Sequence, residues 1–132
     1  MEQNWENYKR WIADATRMGR RHYYRGQSES SWKLKTAFHR NSELKGISLA
    51  HYFNKIMNDV NYQFAAFDSP VNFQDNVEYS TFLGKLQHHG FPTPLLDWTL
   101  SGYVAAFFAF KGAPLKAKPS DKVLIFIFDV ER

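Results

Sequence analysis

Two polar segments of this chain carry residue types that bind and transform ligands, and the first is Tyr24-Arg25-Gly26-Gln27. An arginine at the end of a strand can hold a phosphate or a carboxylate through two parallel hydrogen bonds. Gly26 has no side chain, so it lets a ligand or another stretch of backbone come close. An internal salt bridge to a carboxylate such as Asp97 would also explain Arg25. The residues alone therefore leave a ligand-binding and a structural arginine open.

The second polar segment covers residues 84–99 and places two histidines, Asp97 and Trp98 among apolar neighbours. His88 and His89 end a predicted helix, and an imidazole can carry a proton near neutral pH or donate to an anionic ligand. A helix-capping histidine beside a packed one is the structural alternative. We expect the Asp97 carboxylate to be partly buried and hydrogen-bonded, either orienting a functional histidine or arginine or fixing its own loop.

We predict that the two segments meet in one cleft that binds a nucleotide-like anion. In this prediction Arg25 holds a phosphate, His88 or His89 donates a hydrogen bond, and Asp97 orients them. A buried network of the same four residues that only stabilises the fold is the alternative. No metal is expected, because adjacent histidines rarely reach one ion together and the chain has no cysteine.

The bulk properties of the sequence limit the class of protein. A length of 132 residues with 44% hydrophobic residues suits one domain with a hydrophobic core. The first residues lack the apolar run of a signal peptide. The longest apolar helical run, Tyr103 to Phe110, is shorter than the roughly 20 residues of a membrane span. We therefore expect a cytoplasmic protein without a membrane segment.

The charge distribution permits an anionic partner. The net charge is +4, and Arg17, Arg20, Arg21 and His22 precede two tyrosines. Basic residues interleaved with aromatic ones are typical of nucleic-acid contacts. The C-terminal end of a helix also favours basic residues, because its carbonyl groups carry partial negative charge. Both a nucleic-acid contact and a purely structural helix end follow from these residues.

Hydrophobic periodicity predicts four helices, over residues 3–18, 47–67, 76–89 and 101–110. The fourth helix is apolar on nearly every side, which predicts that it is buried. In the second helix the predicted apolar stripe consists of Leu49, Phe53, Ile56, Val60 and Phe64.

Two segments are predicted to be strands, residues 22–26 and the apolar run Val123–Phe128. A continuous apolar run indicates a strand buried on both faces of a sheet, yet the sequence offers it only one neighbouring strand. Either the chain is part of a longer fold, or a homodimer or partner chain completes the sheet at Val123–Phe128. The predicted fold class is α+β, a small sheet flanked by helices. We expect a single domain over 1–132, in which a helix over 1–19 precedes a core over 20–132.

The motifs occur in an order that is typical of one protein family. They are Tyr24-Arg25-Gly26-Gln27, Leu86-Gln87-His88-His89-Gly90-Phe91-Pro92-Thr93, Leu95-Leu96-Asp97-Trp98-Thr99 and Val104-Ala105-Ala106-Phe107-Phe108-Ala109. On these residues the chain resembles the FRG domain family, which is named for an aromatic-Arg-Gly motif. Members usually carry an arginine after Pro-Thr, where this chain has Pro94. A positive charge beside the second segment is therefore lost.

The resemblance implies functional expectations. FRG domains occur in bacterial and phage genomes, in settings that suggest toxins or phage defence, and the family is not defined by one activity. Their Tyr-Arg-Gly strand looks like the first motif of arginine-class ADP-ribosyltransferases, whose arginine holds the phosphates of NAD and whose later glutamate stabilises the reacting ribose. On that likeness Arg25 would hold NAD or ADP-ribose, Glu131 would be the later glutamate, and the fold would be a truncated ADP-ribosyltransferase-like half.

The residues and the resemblance together define the candidate site. The candidate catalytic residues are Arg25, His88, His89 and Asp97. The candidate ligand-binding residues are Tyr24, Gly26, Gln27, Gln87, Thr93 and Trp98. The alternative function is a non-enzymatic module that binds protein or nucleic acid.

Overall fold

The structure, a computed structural model, describes residues 4–41, 43–114, 116, 118 and 120–130. It contains helices and a two-stranded antiparallel sheet, which confirms the predicted α+β class. No helix in the described part of the chain is both long and apolar enough to cross a membrane. The elements are α1 (Trp5–Arg17), β1 (His22–Gln27), α2 (Ala37–Arg40), α3 (Leu49–His51), a π-helical segment (Tyr52–Ile56), α4 (Met57–Phe64), α5 (Asn76–His88), α6 (Gly102–Lys111) and β2 (Leu124–Asp129).

The chain divides into two compact units. Unit 1 consists of Met1–Lys33 and Asp97–Arg132, and unit 2 consists of Leu34–Leu96. Unit 1 therefore contains α1, α6 and both strands, whereas unit 2 contains α2 to α5 and the π-helical segment. All four tryptophans of the sequence fall within unit 1.

Local sequence signals set the ends of the longer helices. Asn4, Asp75 and Ser101 precede α1, α5 and α6, and each side chain accepts a hydrogen bond from a backbone N–H of the first turn. Gly19 and Gly90 follow α1 and α5 with φ of 67° and 84°, a conformation that glycine adopts without strain. The predicted boundaries of these three helices agree with the structure, although the predicted start at residue 3 lies outside the described residues.

Unit 1 packs its helices against one face of the β1–β2 sheet. The antiparallel register runs from His22 opposite Asp129 to Gln27 opposite Leu124. Side chains alternate along a strand and paired residues share a face, so the sheet has two distinct faces. The inner face contacts Trp11 of α1, whose ring lies 5.1 Å from His22 and 6.2 Å from Tyr24. The outer face consists of Tyr23, Arg25, Gln27, Leu124, Phe126 and Phe128.

The backbone of α6 lies directly against β1 at Gly26. A Cβ atom at this position would overlap the carbonyl oxygen of Ala105 and lie 2.8 Å from the backbone nitrogen of Ala109. Both alanines are buried on the side of α6 that contacts the strand. A small residue on each element therefore allows the helix and the strand to pack at close range.

Unit 2 has its own core, which the helices α2, α4 and α5 and the π-helical segment build together. The hydroxyl of Tyr52, which is fully buried, donates a hydrogen bond of 3.1 Å to the carbonyl oxygen of Pro92. The buried core residues are Phe38, Tyr52, Met57, Phe82, Leu83 and Leu86.

The predicted helix over 47–67 is present as three consecutive segments from Leu49 to Phe64, and the predicted stripe is wrong at both ends. Leu49 and Phe64 are 41% and 46% exposed, whereas Tyr52 and Met57 are fully buried. The wider π-helical turn rotates the residues that follow it relative to an α-helical pattern, which accounts for the burial of Met57 and the exposure of Phe64. Leu49 precedes this turn, so the turn does not explain its exposure.

Two predictions of complete burial are wrong. In α6 only Gly102 and the alanines facing β1 are buried, while Phe107 and Phe108 are 59% and 55% exposed. In β2 no residue is buried, and Phe128 is 57% exposed. The sheet has two strands within the described residues, and Trp11 of α1 and the backbone of α6 contact β1 on its inner face. The exposure of β2 does not follow the two faces alone, because Ile127 on the inner face is 41% exposed whereas Leu124 and Phe126 on the outer face are half-buried.

Candidate functional site

The candidate arginine lies in the middle of β1, on the outer face of the sheet. Arg25 stands opposite Phe126, and Tyr23 and Phe128 on the same face are 40% and 57% exposed. Nη1 of Arg25 donates a hydrogen bond of 2.7 Å to the main-chain carbonyl oxygen of Asp97. The half-buried guanidinium thus has a fixed orientation beside exposed aromatic rings.

Asp97 and Trp98 belong to the segment that runs beside β1. Tyr24 and Thr99 exchange two backbone hydrogen bonds, of 2.7 and 2.9 Å, and form an isolated antiparallel bridge. Asp97 is exposed, so the expectation of a partly buried carboxylate is wrong. The segment lies at the edge of the sheet, where the carboxylate reaches solvent. The Trp98 ring is 36% exposed and lies 6.4 Å from the Phe128 ring.

Three other candidates in β1 have contacts within unit 1 that explain them structurally. Tyr24 is buried on the inner face, and this burial raises its pKa above the ordinary value. Because Gly26 has no side chain, either a ligand or another stretch of backbone could come close to it. In the structure the backbone of α6 does so. Nε2 of Gln27 donates a hydrogen bond of 2.8 Å to the carbonyl oxygen of Trp32. These contacts give all three residues a structural role in unit 1.

Two candidates in unit 2 hydrogen-bond to each other. The hydroxyl of Thr93 donates to Oε1 of Gln87, and the Thr93 side chain is fully buried. The backbone N–H of Phe38 donates to the carbonyl oxygen of Thr93 at 3.0 Å. The loop that contains Thr93 is thus held to α5 by a side-chain bond and to α2 by a backbone bond. Gln87 and Thr93 stabilise the chain path of unit 2.

The histidine pair lies at the C-terminal end of α5 and is open to solvent. His88 and His89 are both exposed, and their ring centroids are 5.6 Å apart. The backbone N–H of His89 donates to the carbonyl oxygen of Lys85 and ends the helix. Both imidazoles can therefore reach a ligand from solvent, and neither is part of the core.

The structure brings the candidate residues together in pairs. Arg25 contacts Asp97 in unit 1, and Gln87 contacts Thr93 in unit 2. A single cleft that contains Arg25, both histidines and Asp97 stays a prediction. Among the described residues, no three His, Cys, Asp or Glu side chains are grouped so that they could hold a metal ion. Glu131 lies outside the described residues.

His22 belongs to the basic cluster in the sequence, but in the structure it is buried. His22 is 6% exposed, and its ring packs between those of Trp11 and Tyr24. Its Nδ1 atom is buried and has no hydrogen-bond partner within the part of the chain that the structure describes. The sequence signal for this burial is the alternation of side chains along a strand, because it places His22 on the same face as Tyr24 and Gly26. His22 is therefore a core residue of unit 1.

The comparison with known protein families identifies the group to which the chain is related. A model of the FRG domain matches residues 20–118, which is more than half of the chain. The chain therefore belongs to the FRG domain family. No curated protein and no solved structure gives a significant match.

Proposed function

We propose that unit 1 of this FRG domain binds a nucleotide-like anion, such as NAD or ADP-ribose, on the outer face of its sheet. The observation that carries the proposal is the position of Arg25 among the exposed rings of Tyr23, Trp98 and Phe128. A guanidinium matches the geometry of a phosphate, and aromatic rings stack on bases. A dinucleotide offers both a pyrophosphate and flat ring systems to such a face.

The contacts of Arg25 support this proposal. The 2.7 Å bond from Nη1 to the carbonyl oxygen of Asp97 orders the guanidinium, so a ligand meets a side chain whose ordering cost is reduced. The exposed carboxylate of Asp97 belongs to the same region and is suited to accept hydrogen bonds from ribose hydroxyl groups. In this proposal Arg25 binds phosphate, Asp97 binds ribose and Trp98 stacks on a base.

Isothermal titration calorimetry with NAD and with ADP-ribose tests the proposal. The variants are Arg25→Ala, Arg25→Lys and the matched control Arg20→Ala, which removes another arginine of unit 1 that is exposed. A charged hydrogen bond contributes about 1.5–3 kcal/mol, so we expect at least a roughly tenfold loss of affinity in Arg25→Ala. Arg25→Lys keeps the charge without the planar fork and should also bind weakly, whereas Arg20→Ala should bind like the wild type.

A second variant covers the case in which Arg25→Ala fails to fold. Trp98 is partly exposed, so Trp98→Leu should leave the fold intact. The loss of base stacking should lower the affinity, because one aromatic stack contributes about 1–3 kcal/mol. Absence of heat with both ligands for the wild type, or unchanged affinity in a folded Arg25→Ala variant, would contradict the proposal.

We also propose a catalytic role for His88, His89 and Asp97 in a reaction of the ADP-ribosyltransferase type with NAD as cofactor. What supports it is the exposure of both imidazoles and their ability to carry protons near neutral pH. Transfer of labelled ADP-ribose, or release of nicotinamide, is measured for His88→Gln and His89→Gln. Loss of turnover with retained NAD affinity is the expected result. Unchanged turnover in the double variant would exclude this role.

A biological role as a cytoplasmic toxin or a component of phage defence is the corresponding proposal at the level of the cell. It rests on the family and on the exposed arginine face. Induced expression in bacteria should arrest growth, and Arg25→Ala should abolish the arrest at equal protein level. Equal growth arrest by the wild type and Arg25→Ala would show that toxicity does not depend on Arg25, which contradicts this proposal.

The open edge of β2 favours a second candidate function, a non-enzymatic interaction module that pairs with a second copy of the chain. Val130 donates a backbone hydrogen bond to Arg21, so by alternation the N–H and C=O groups of Ile125 and Ile127 point away from β1. The described residues place no further strand at that edge. Two antiparallel copies of β2 would satisfy each other's backbone groups.

Analytical ultracentrifugation of two matched variants tests this pairing. Ile127→Pro removes only an outward N–H, whereas Ile127→Val keeps it. We expect dimers for the wild type and Ile127→Val, and monomers for Ile127→Pro. A monomeric wild type at every concentration would overturn the candidate. Nucleic acid is less well supported, because Arg17 in the basic cluster already pairs with Asp14 at 2.7 Å.

A further inference from the structure

Unit 2 contains a cavity that lies along the whole length of α5 and is distinct from the outer face of unit 1. Its volume is about 310 Å³. One wall is formed by α5, and the other is formed by the end of α4 and the loop that follows it. Its lining includes Phe64, Val77, Phe82, Leu86, Lys85 and His89.

The floor of the cavity is apolar. Phe82 and Leu86 are core residues of unit 2, and Phe64 lies edge-on to Phe82 with ring centroids 5.7 Å apart. Phe64 and Val77 are 46% and 73% exposed, although both are apolar. A ligand with a hydrocarbon body would remove these apolar surfaces from water, which favours its binding.

Hydrogen-bond donors follow one line along the rim of the cavity. Thr81 and Lys85 stand on successive turns of α5, and His89, four residues further on, is the cap residue that follows the helix. All three are exposed, and the described part of the chain pairs neither Lys85 nor His89 with a carboxylate. The carbonyl end of α5 would by itself disfavour an anion. Lys85 is therefore the residue on which an anion at this rim depends.

The two carboxylates of the lining are bound to the backbone of unit 2. Oδ1 of Asp68 accepts the N–H of Ser69 at 2.8 Å, and Oε2 of Glu78 accepts the N–H of Asn72 at 3.0 Å. These bonds give both acids a structural role in the loop wall. Both acids keep their negative charge. Glu78 lies in the first turn of α5 and Lys85 in the last, so an anion at Lys85 lies about 10 Å along the helix from Glu78, and Asp68 is the acid whose charge opposes it.

We propose that this cavity binds a small amphipathic carboxylate, with its hydrocarbon body on Phe64, Val77 and Phe82 and its carboxylate at Lys85 and His89. The volume of 310 Å³ is at the small end of the range of about 300–1,000 Å³ that ligand pockets occupy, which favours a small molecule over a peptide helix. Between Val77 and His89 the helix rises about 18 Å, which accommodates an extended medium-length chain.

Decanoate, decanol and decylammonium, each below its micelle concentration, form a matched set of probes. Binding to the full chain is followed by amide chemical shifts and by calorimetry. We expect decanoate to shift the amides of Val77, Thr81 and Lys85, decanol to bind at least several-fold more weakly, and decylammonium to bind weakest. Equal binding of decanoate and decanol would overturn the role of the carboxylate. Absence of shifts in unit 2 with every probe would overturn the site.

Variants of the rim and the floor sharpen the test. Lys85→Gln should weaken decanoate binding about tenfold, because a charge-assisted hydrogen bond is lost. Lys45→Gln is the matched control, since Lys45 is an exposed lysine of unit 2 outside the lining. Val77→Trp fills the cavity from an exposed position and should abolish binding at unchanged thermal stability. Arg25→Ala should bind decanoate normally, so the failure of either proposal can be recognised separately.

Discussion

In unit 2 the motif residues Gln87 and Thr93 hydrogen-bond to each other, whereas in unit 1 the motif residue Arg25 lies on a face with exposed aromatic rings. Both sets match the same family pattern, and both include polar residues among apolar neighbours. Their environments in the folded chain differ. A buried pair that satisfies itself stabilises the fold, and an anchored guanidinium beside exposed rings can bind a ligand. Motif membership alone does not separate these roles.

The two units also share one device, a tyrosine hydroxyl that donates to a backbone carbonyl. Tyr8 in unit 1 donates to Gly102 at 2.9 Å, and Tyr52 in unit 2 donates to Pro92 at 3.1 Å. Each unit also contains a buried polar atom without a hydrogen-bond partner among the described residues, Nδ1 of His22 in unit 1 and the hydroxyl of Tyr79 in unit 2. Matched substitutions in the two units can therefore measure how alike they are.

The largest expected difference concerns two glycines. In Gly26→Ala the new Cβ would overlap backbone atoms of α6, so the helix must shift and unit 1 should lose about 3 kcal/mol, the upper end for overpacking. In Gly84→Ala the Cβ of α5 would enter open space, and unit 2 should gain roughly 0.5–1 kcal/mol of helix stability. Urea unfolding followed by tryptophan fluorescence for unit 1 and by far-ultraviolet circular dichroism for both units measures these effects.

Tolerance of Gly26→Ala without a change in the fluorescence midpoint would mean that α6 does not press on β1. It would also remove the reason for regarding Gly26 as a structural residue. A loss of stability in Gly84→Ala would show that the side of α5 at Gly84 is covered rather than open.

The next effect concerns the two buried tyrosines. Burial raises the pKa of Tyr8 and of Tyr52 to about 12, from an ordinary value of 10.0. The phenol is neutral in the fold, and the unfolded chain loses its proton first, so stability is complete below about pH 10 and falls as the pH rises towards 12. Tyr52→Phe should cost about 1 kcal/mol at pH 7 and should flatten this alkaline loss. Unfolding midpoints between pH 7 and pH 11.5 measure both.

Tyr8→Phe is the counterpart in unit 1 and should behave in the same direction. Tyr52 is fully buried whereas Tyr8 is half-buried, so we expect the larger cost at pH 7 for Tyr52. The alkaline losses should be alike, because both pKa values are raised to about 12. If stability falls as steeply at alkaline pH in Tyr52→Phe as in the wild type, the titration of other groups causes that fall.

The smallest effect concerns the unpaired polar atoms. Tyr79→Phe removes a buried hydroxyl that has no partner among the described residues, so the free energy of unfolding should stay constant or rise by up to about 1 kcal/mol. His22→Phe, which removes the unpaired Nδ1 beside Trp11, should have an effect of the same sign in unit 1. Thermal unfolding at pH 7 is sufficient for this comparison. A clear loss in Tyr79→Phe, comparable with that in Tyr52→Phe, would show that its hydroxyl has a partner.

The sequence predicts the elements that have local signals. Asn4, Asp75 and Ser101 are residues that cap helices, and Gly19 and Gly90 are residues that end them, so α1, α5 and α6 follow from short-range chemistry. The pattern of burial follows only in part, because hydropathy tells which residues can be buried but not whether a layer covers them. This is why the exposed rings of α6 and β2 were not predictable.

The candidate site shows the same limit. Arg25 and Asp97 are far apart in the sequence, and the bond between them joins Nη1 to the main-chain carbonyl oxygen of Asp97, whereas the sequence pointed to the carboxylate. Two tertiary contacts have no signal in the sequence. They are the hydrogen bond from Thr93 to Gln87 and the packing of α6 against Gly26. The π-helical turn before Met57 is a further example, because a single wide turn changes which residues are buried.

The central claim is that the outer face of unit 1 binds a nucleotide-like anion, and titration of the ¹⁵N-labelled chain with ADP-ribose tests it most directly. We expect shifts of the backbone amides of Tyr23 and Arg25 and of the Trp98 indole N–H, and much smaller shifts at the same ADP-ribose concentration in Arg25→Lys. Shifts confined to unit 2, or no shifts at millimolar ADP-ribose, would contradict it.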